Sequence, residues 1–421
     1  MENNIVKDHD FALDSVPKSE RRGFWSMLAV MLGFTFFSAS MWAGGTLGTG
    51  LKLWPDFILA VLAGNLILGI YTAVLGSIAT DTGLSTHLLA RYAFGEKGSF
   101  IASFLLSFTQ IGWFGVGIAM FALPIHHAAD INLIFLLISA GFLMTLTAYF
   151  GFKALTILSM IAVPAITILG STSVLKAVSS VGGINGLLAI EPTASIGFGA
   201  ALTITVGTFI SGGTLTPDFV RFAKDKKTGI TTTIAAFLLG NTLMLIFGAV
   251  GAAVTAKADI SEVMLAQGLV LPAIFLLGLN IWTTNDNALY ASGLGLSNIT
   301  GLPKNKIVIL NGFIGTLTSI WLYNNFVGWL TFLGSTLPPI GAIILADYYF
   351  INKGSYKKFS EAEFKDYSYP ALAAWGISIF LTKILPGIAP INAIISAVAV
   401  YLLTNYISET FTSSKSLPAE N

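Results

Sequence analysis

Two interruptions in otherwise apolar, membrane-length segments constrain this chain more than any other feature. One runs from Thr35 to Gly50 and the other from Thr208 to Asp218, and both are rich in glycine and small hydroxyl residues. In hydrocarbon an unpaired backbone N–H or C=O is expensive, so an unwound stretch survives there only where it lines a cavity or is buried in protein. Paired breaks in corresponding halves of a chain point to a transporter's substrate site.

Composition supports the membrane setting. Of 421 residues, 54% are hydrophobic and 10% charged, against roughly 25% charged in a soluble domain. This is an integral membrane protein whose principal surroundings are the lipid bilayer. The absence of cysteine excludes disulfides and thiolate metal sites, and His9, His87, His126 and His127 lack ligand spacing. A net charge of +1 gives no footprint for nucleic acid. With neither a Walker-type phosphate loop nor an H-E-x-x-H motif, transport driven by an ion gradient is favoured over ATP. No organic cofactor, catalytic residue or obligatory protein partner is indicated; no nucleophile, base and orienting group can be assembled, so the chain does not read as an enzyme.

Windows of about 20 apolar residues give about twelve spans, near 24–50, 54–80, 98–124, 131–150, 153–176, 195–216, 228–256, 263–298, 305–323, 327–350, 367–385 and 388–407. Threading the chain with its N-terminus inside puts Arg21, Arg22, Arg91, Lys97, Lys153, Lys224, Lys304 and Lys357 on one side. Lys52, Lys176, Lys257 and Lys383 fall on the other. The positive-inside rule then places both termini in the cytoplasm. Residues 1–22 carry no signal-peptide pattern and read as a polar tail, as do residues 408–421; residues 23–407 form the transporter domain.

Span 6 begins five spans after span 1, and each carries Thr-Phe-x-Ser, at Thr35 to Ser38 and Thr208 to Ser211. An odd repeat inverts the second copy, an all-α inverted-topology arrangement with broken helices 1 and 6. The repeats cover about 24–176 and 195–350. Gly-Gly-Thr-Leu also recurs, at Gly44 and Gly212, in a different register that favours coincidence as much as kinship. Gly44 and Gly48 fit a cavity lining or close helix packing of the Gly-x-x-x-Gly type.

Three segments hold the chemistry. In span 3, Gln110 and Trp113 share a helix face, and glycines at 112, 115 and 117 make room beside the indole. Trp113 fits a binding wall or, less well in mid-span, an interfacial belt. Phe209 in the second break is its natural opposite, and two aromatic faces suit a flat heterocycle. In span 8, Asn280, Thr283 and Thr284 put three oxygens on one stripe, suited to a hard monovalent cation such as Na⁺ with carbonyls freed by the first break. A plain interhelical hydrogen-bond seam is the alternative. Asp286, the one acidic residue well inside a span, fits a proton-coupling carboxylate or a structural group that fixes Asn285. Asp218 and Arg221 read as an anchor with a salt bridge at the end of span 6, the loop from Thr82 to Arg91 as a gate or a solvated connector, and Pro338-Pro339 as a hinge or a kink.

With these motifs the chain resembles the nucleobase:cation symporter-1 family. The likeness runs through Gly33 to Gly50, Thr82 to Arg91, Gln110 to Gly117, Phe209 to Phe222, Leu279 to Gly293 and Trp321 to Leu330. It implies the five-plus-five form of the inverted repeat with two peripheral helices, about 367–407. It also implies a secondary active importer of cytosine in a bacterial cytoplasmic (inner) membrane, coupled to Na⁺ by alternating access, with an H⁺-coupled permease using Asp286 as the alternative. By resemblance the substrate site maps to Phe37, Gln110, Trp113, Thr208, Phe209, Gly212 and Asn285. The Na⁺ site maps to backbone carbonyls of Gly33 and Phe36 and to Asn280, Thr283 and Thr284. Members that take hydantoins carry Gln where this chain has Gly117 and Trp where it has Phe209, which fits a small pyrimidine here.

Overall fold

The computed structural model describes residues 10–257, 263, 267–268, 270–325, 333 and 336–415. The first residues of span 8 and much of the first half of span 10 lie outside them. Span 1 is two helices, Phe24–Thr35 and Ser38–Gly50, meeting at 56°. Spans 2, 3 and 5 are Leu53–Thr82, Gly98–Ala129 and Phe152–Ser180, each long enough to cross about 30 Å of hydrocarbon. Span 4 is the shorter Leu133–Tyr149, started by the Asn132 side chain, which accepts from the Phe135 amide.

Span 6 is broken into Phe198–Gly207 and Ile210–Thr214, continuing as Thr216–Val220. Span 7, Lys226–Thr255, is interrupted by a wide π-turn at Ala236–Asn241. Span 8 is Val270–Thr300, span 9 Lys304–Asn324, and the described part of span 10 runs over Pro338–Ile351. Tyr369–Ile384 and Ala389–Lys415 are spans 11 and 12. Span 12 stays helical beyond Ile407, so the residues expected to begin a disordered tail instead continue a helix.

Exposure separates the centre from the rim. Ile134, Phe135, Ile138, Phe142 and Leu146 are exposed along one side of span 4, and Phe313, Leu317 and Trp321 along one side of span 9. In water such stripes would be costly; in hydrocarbon they are the lipid-facing surface. Spans 3 and 8 sit at the centre, where Gln110, Trp113, Asn280, Asn285 and Asp286 are buried.

The first break is narrower than the sequence suggested. Helical geometry fails only at Phe36 and Phe37, with φ/ψ of −78/87° and −128/130°, and Ser38–Gly50 is a regular helix. A Cβ at Gly44 would strike the Leu245 backbone and one at Gly48 that of Ala249, so these glycines serve close packing of span 1 on span 7. The Gly-Gly-Thr-Leu echo therefore lies inside a regular helix in one copy and beside the break in the other.

The N-terminal segment is docked from residue 10 onward, where the sequence reads as a loose tail. Ala12 and Val16 are buried. Arg22 N donates to Phe222 O, Lys224 N to Arg22 O and Val16 N to Gly83 O. The Asp10 carboxylate meets Lys304 Nζ at 2.7 Å and accepts from the Phe152 amide. Arg221, fully buried, donates to the carbonyls of Asp10 and Phe11 and to the Tyr290 hydroxyl. Asp218 instead accepts from the Thr86 amide and lies 3.5 Å from His87. Asp218 and Arg221 are thus buried at the end of span 6, but the expected salt bridge between them is not formed: Arg221 Nε meets only the Asp218 backbone carbonyl. The loop after span 2 is a buried helix, Thr86–Phe94, rather than a solvated connector.

Lys304→Met leaves the Asp10 carboxylate buried without its cation and should cost about 3–5 kcal/mol. The double variant Asp10→Asn/Lys304→Met should lose less, and melting of the purified protein in detergent measures both.

Candidate substrate and cation site

The two breaks face each other across spans 3 and 8 and leave a small cavity of about 30 Å³ between them. That is far below the roughly 300–1,000 Å³ of small-molecule sites, so the walls lie close together here. Its walls include Phe37, Gln110, Trp113, Thr208, Phe209, Gly212 and Asn285, so the residues mapped as a substrate site from four separate spans converge on one space. Phe34, Ser211 and Ala288 also line it and were not singled out from sequence. Two had a readable signal: Ala288 lies one turn beyond Thr284, and Ser211 closes the repeated Thr-Phe-x-Ser.

Aromatic rings form the frame. Phe37 meets Trp113 edge to face at 5.1 Å and Phe209 at 6.1 Å, while Phe34 packs on Phe209 at 4.9 Å. Edge-to-face contact fixes each ring's orientation. Trp113 and Phe209 thus both stand in the cavity wall, held by rings from the first break.

Polar groups are few. Gln110 is buried and its Nε2 has no partner; since an unmatched buried donor costs about 1–3 kcal/mol, a ligand acceptor at this point restores what folding gives up. Asn285 Nδ2 donates to Phe114 O at 3.1 Å and to the Met144 sulfur at 3.3 Å, and its carbonyl oxygen lies against Gly117. A Cβ on Gly117 would overlap that amide, so the glycine in span 3 makes room for the asparagine in span 8. Thr208 Oγ1 donates to Thr205 O and accepts from Asn241 Nδ2 at 3.4 Å.

The residues mapped to a cation lie beside this cavity. Phe36 packs in one cluster with Leu276 and Met244, and Asn280 Nδ2 donates to the Met244 sulfur. Asn280 Oδ1 is buried without a partner. Thr283 and Thr284 hydroxyls both donate to Asn280 O, at 2.9 and 2.6 Å. With their protons so committed, their lone pairs are free to meet a cation. Gly33 lies on the first-break helix three residues before Phe36, where a Cβ would strike Ser159 of span 5. Thr284, mapped to the cation, also lines the cavity.

A protein-family model described as permease for cytosine/purines, uracil, thiamine, allantoin matches residues 15–407. The chain belongs to this family. It is a membrane transporter, not an enzyme. Cytosine permease of Escherichia coli (strain K12) is 54% identical over 403 residues, covering 96% of each chain. Hydantoin permease of Microbacterium maritypicum is 22% identical, covering 92% of this chain and 87% of the relative. Among solved structures, a nucleobase-cation-symport-1 family transporter in a closed conformation with bromovinylhydantoin bound superposes with a TM-score of 0.83 at 20% identity, covering 95% and 96% of the two chains. The permease therefore has the expected fold, a five-plus-five inverted repeat with broken helices 1 and 6 and two peripheral helices.

Gly117→Ala in this permease should push the Asn285 amide out of place. Nucleobase binding should weaken by about tenfold, about 1.4 kcal/mol, as read by equilibrium binding to the purified protein.

Proposed function

We propose that this permease is a secondary active importer of cytosine, coupled to Na⁺ by alternating access, in a bacterial cytoplasmic membrane with both termini in the cytoplasm. Residues 24–176 and 195–350 are then the two repeats and 367–407 the peripheral helices. The observation that carries the reading is the aromatic-framed cavity, with the unpaired Gln110 amide at its wall and the cation oxygens one turn away on span 8. The 54% identical cytosine permease supports the choice of base.

Cytosine is flat and offers an amine donor beside two acceptors. Its faces suit Trp113 and Phe209, each stacked face worth about 1–3 kcal/mol by analogy with base stacking. Gln110 Nε2 donates to a ring acceptor and Asn285 Oδ1 accepts from the amine, with freed backbone near Gly212 and the Thr208 hydroxyl completing the edge. Uracil puts a carbonyl where the amine stands and sets two acceptors against each other, so rejection comes mainly from unmatched buried groups.

Na⁺ bound by Gly33 and Phe36 carbonyls, Asn280, Thr283 and Thr284 would order the first break against span 8. That favours the state that binds base, since a ligand shifts an equilibrium only by its differential affinity. One charge moving through about 100 mV contributes roughly 2.3 kcal/mol and a tenfold Na⁺ gradient about 1.4 kcal/mol, enough for a few hundredfold accumulation at one ion per base.

One observation favours a second reading, H⁺ coupling. Asp286 Oδ1 accepts from Thr147 Oγ1 at 2.7 Å, whose oxygen accepts from Trp282 Nε1, but Oδ2 is buried without a partner. Cytosine uptake at fixed pH with Na⁺ replaced by choline separates the two. Uptake should fall steeply for Na⁺ coupling; unchanged uptake that is lost in Asp286→Asn would favour the proton.

Trp113→Ala and Phe209→Ala should each weaken cytosine binding by about 5- to 150-fold, the equivalent of about 1–3 kcal/mol, in titrations of the folded protein. Thr283→Ala should raise the Na⁺ concentration needed for half-maximal uptake far more than it alters binding of the base at saturating Na⁺.

A further inference from the structure

Span 7 contributes nothing to the cavity wall, yet one face of it touches both halves of the site. Phe237 meets Phe209, the base-facing aromatic of the second break, edge to face at 5.4 Å. Gly240 sits so close to the first break that a Cβ would overlap Thr35 Oγ1 and crowd Phe36. Asn241 Nδ2 donates to Asn65 Oδ1 of span 2 at 2.7 Å and to Thr208 Oγ1 at 3.4 Å. The Met244 sulfur accepts from Asn280 Nδ2, an amide of the cation stripe.

Local backbone explains how four such contacts share one helix. Ala236–Asn241 is a π-turn, whose extra residue widens the helix at the level of the breaks; π-turns of this kind recur at functional sites. The polar part is fully enclosed. Asn65, Asn241 and Asn280 have no exposed surface, Asn65 Nδ2 is held by Thr242 Oγ1 at 2.9 Å, and Asn241 Oδ1 has no partner. Two amides placed among apolar spans, with one acceptor unused, are poor packing groups. They are well placed to fix the Thr208 hydroxyl at the cavity wall.

We propose that the Phe237, Gly240, Asn241 and Met244 face of span 7 is the link through which cation occupancy at the first break reaches the nucleobase at the second, with Asn241 the positioning residue for Thr208. The inference rests on reading the cavity as a base site and the break at Gly33 to Phe36 with span 8 as a cation site. Ordering Phe36 and Asn280 around an ion presses on Gly240 and Met244. The same rigid turn carries Phe237 and Asn241, which hold Phe209 and Thr208 in the geometry that stacks and bonds the base. By linkage the base must then tighten the ion by the same factor.

The test is equilibrium binding of tritiated cytosine to the full-length purified protein in Na⁺ and in choline, giving a ratio of dissociation constants for each variant. Wild type should bind at least tenfold more tightly in Na⁺. Gly240→Ala and Asn241→Ala should bring that ratio close to one, and Trp113→Ala should weaken binding in both media. Met244→Leu conserves volume and removes only the sulfur acceptor, so a reduced ratio there supports the link even if Gly240→Ala does not fold. Leu239→Ala, on the 65% exposed side of the same turn, should keep the wild-type ratio. Asn241→Ala and Met244→Leu proteins that melt like wild type and keep its full ratio would overturn the link. A wild-type ratio of one would instead overturn the cation reading on which it rests, a result visible before any variant is measured.

Discussion

A helix broken inside hydrocarbon must have its lost backbone hydrogen bonds replaced by protein or by what the protein binds, and the interior of this permease is organised around that demand. Two helices are broken at one level, and the spans around them are arranged as walls. Spans 3 and 8 supply buried amides and hydroxyls, span 7 supplies a widened turn, and lipid meets only the outer faces of spans such as 4 and 9. The freed backbone is then usable. Its carbonyls and N–H groups are the kind that transporters of this architecture offer to ions and substrates.

The same demand explains why ligand groups are so sparse. Each polar atom placed in the core needs a partner in the empty state or stays unmatched, at a cost of about 1–3 kcal/mol. Most are matched internally: Asn285 Nδ2 by Phe114 O, Thr284 by Asn280 O, Thr208 by Thr205 O. Among the atoms left over, Gln110 Nε2 and Asn280 Oδ1 stand on the two spans at the centre of the bundle. Aromatic rings stabilise the remaining surface without imposing that cost, and Phe34, Phe37, Trp113 and Phe209 supply much of the wall.

Much of this was legible in the sequence because membrane burial simplifies the code. Apolar windows of about 20 residues located the spans, and the pairing of Gln110 and Trp113 with Phe209 followed from polar or aromatic groups standing where lipid would reject them, while Asn285 joined them through the family resemblance. The extent of the first break was only half legible: glycine content at Gly44 and Gly48 fitted either a cavity lining or close helix packing, and the structure has them admitting the backbone of span 7 in a regular helix. Nor was the docking of residues 10–22, since charged residues look solvated until their partners, here Lys304 and the carbonyl acceptors of Arg221, are known to be buried. Such pairings depend on tertiary contacts that no local window contains.

That docked segment also sets an order on how the molecule is made. Asp10 and Phe11 emerge among the first residues of the chain, but Arg221, 210 positions beyond Phe11, and Lys304 follow only after spans 6 and 8 have been synthesised. Until then the early acid has no buried cation to meet and stays with water. Synthesis through the end of span 8 is thus a structural precondition for these contacts, so a chain arrested after its first repeat is left without them.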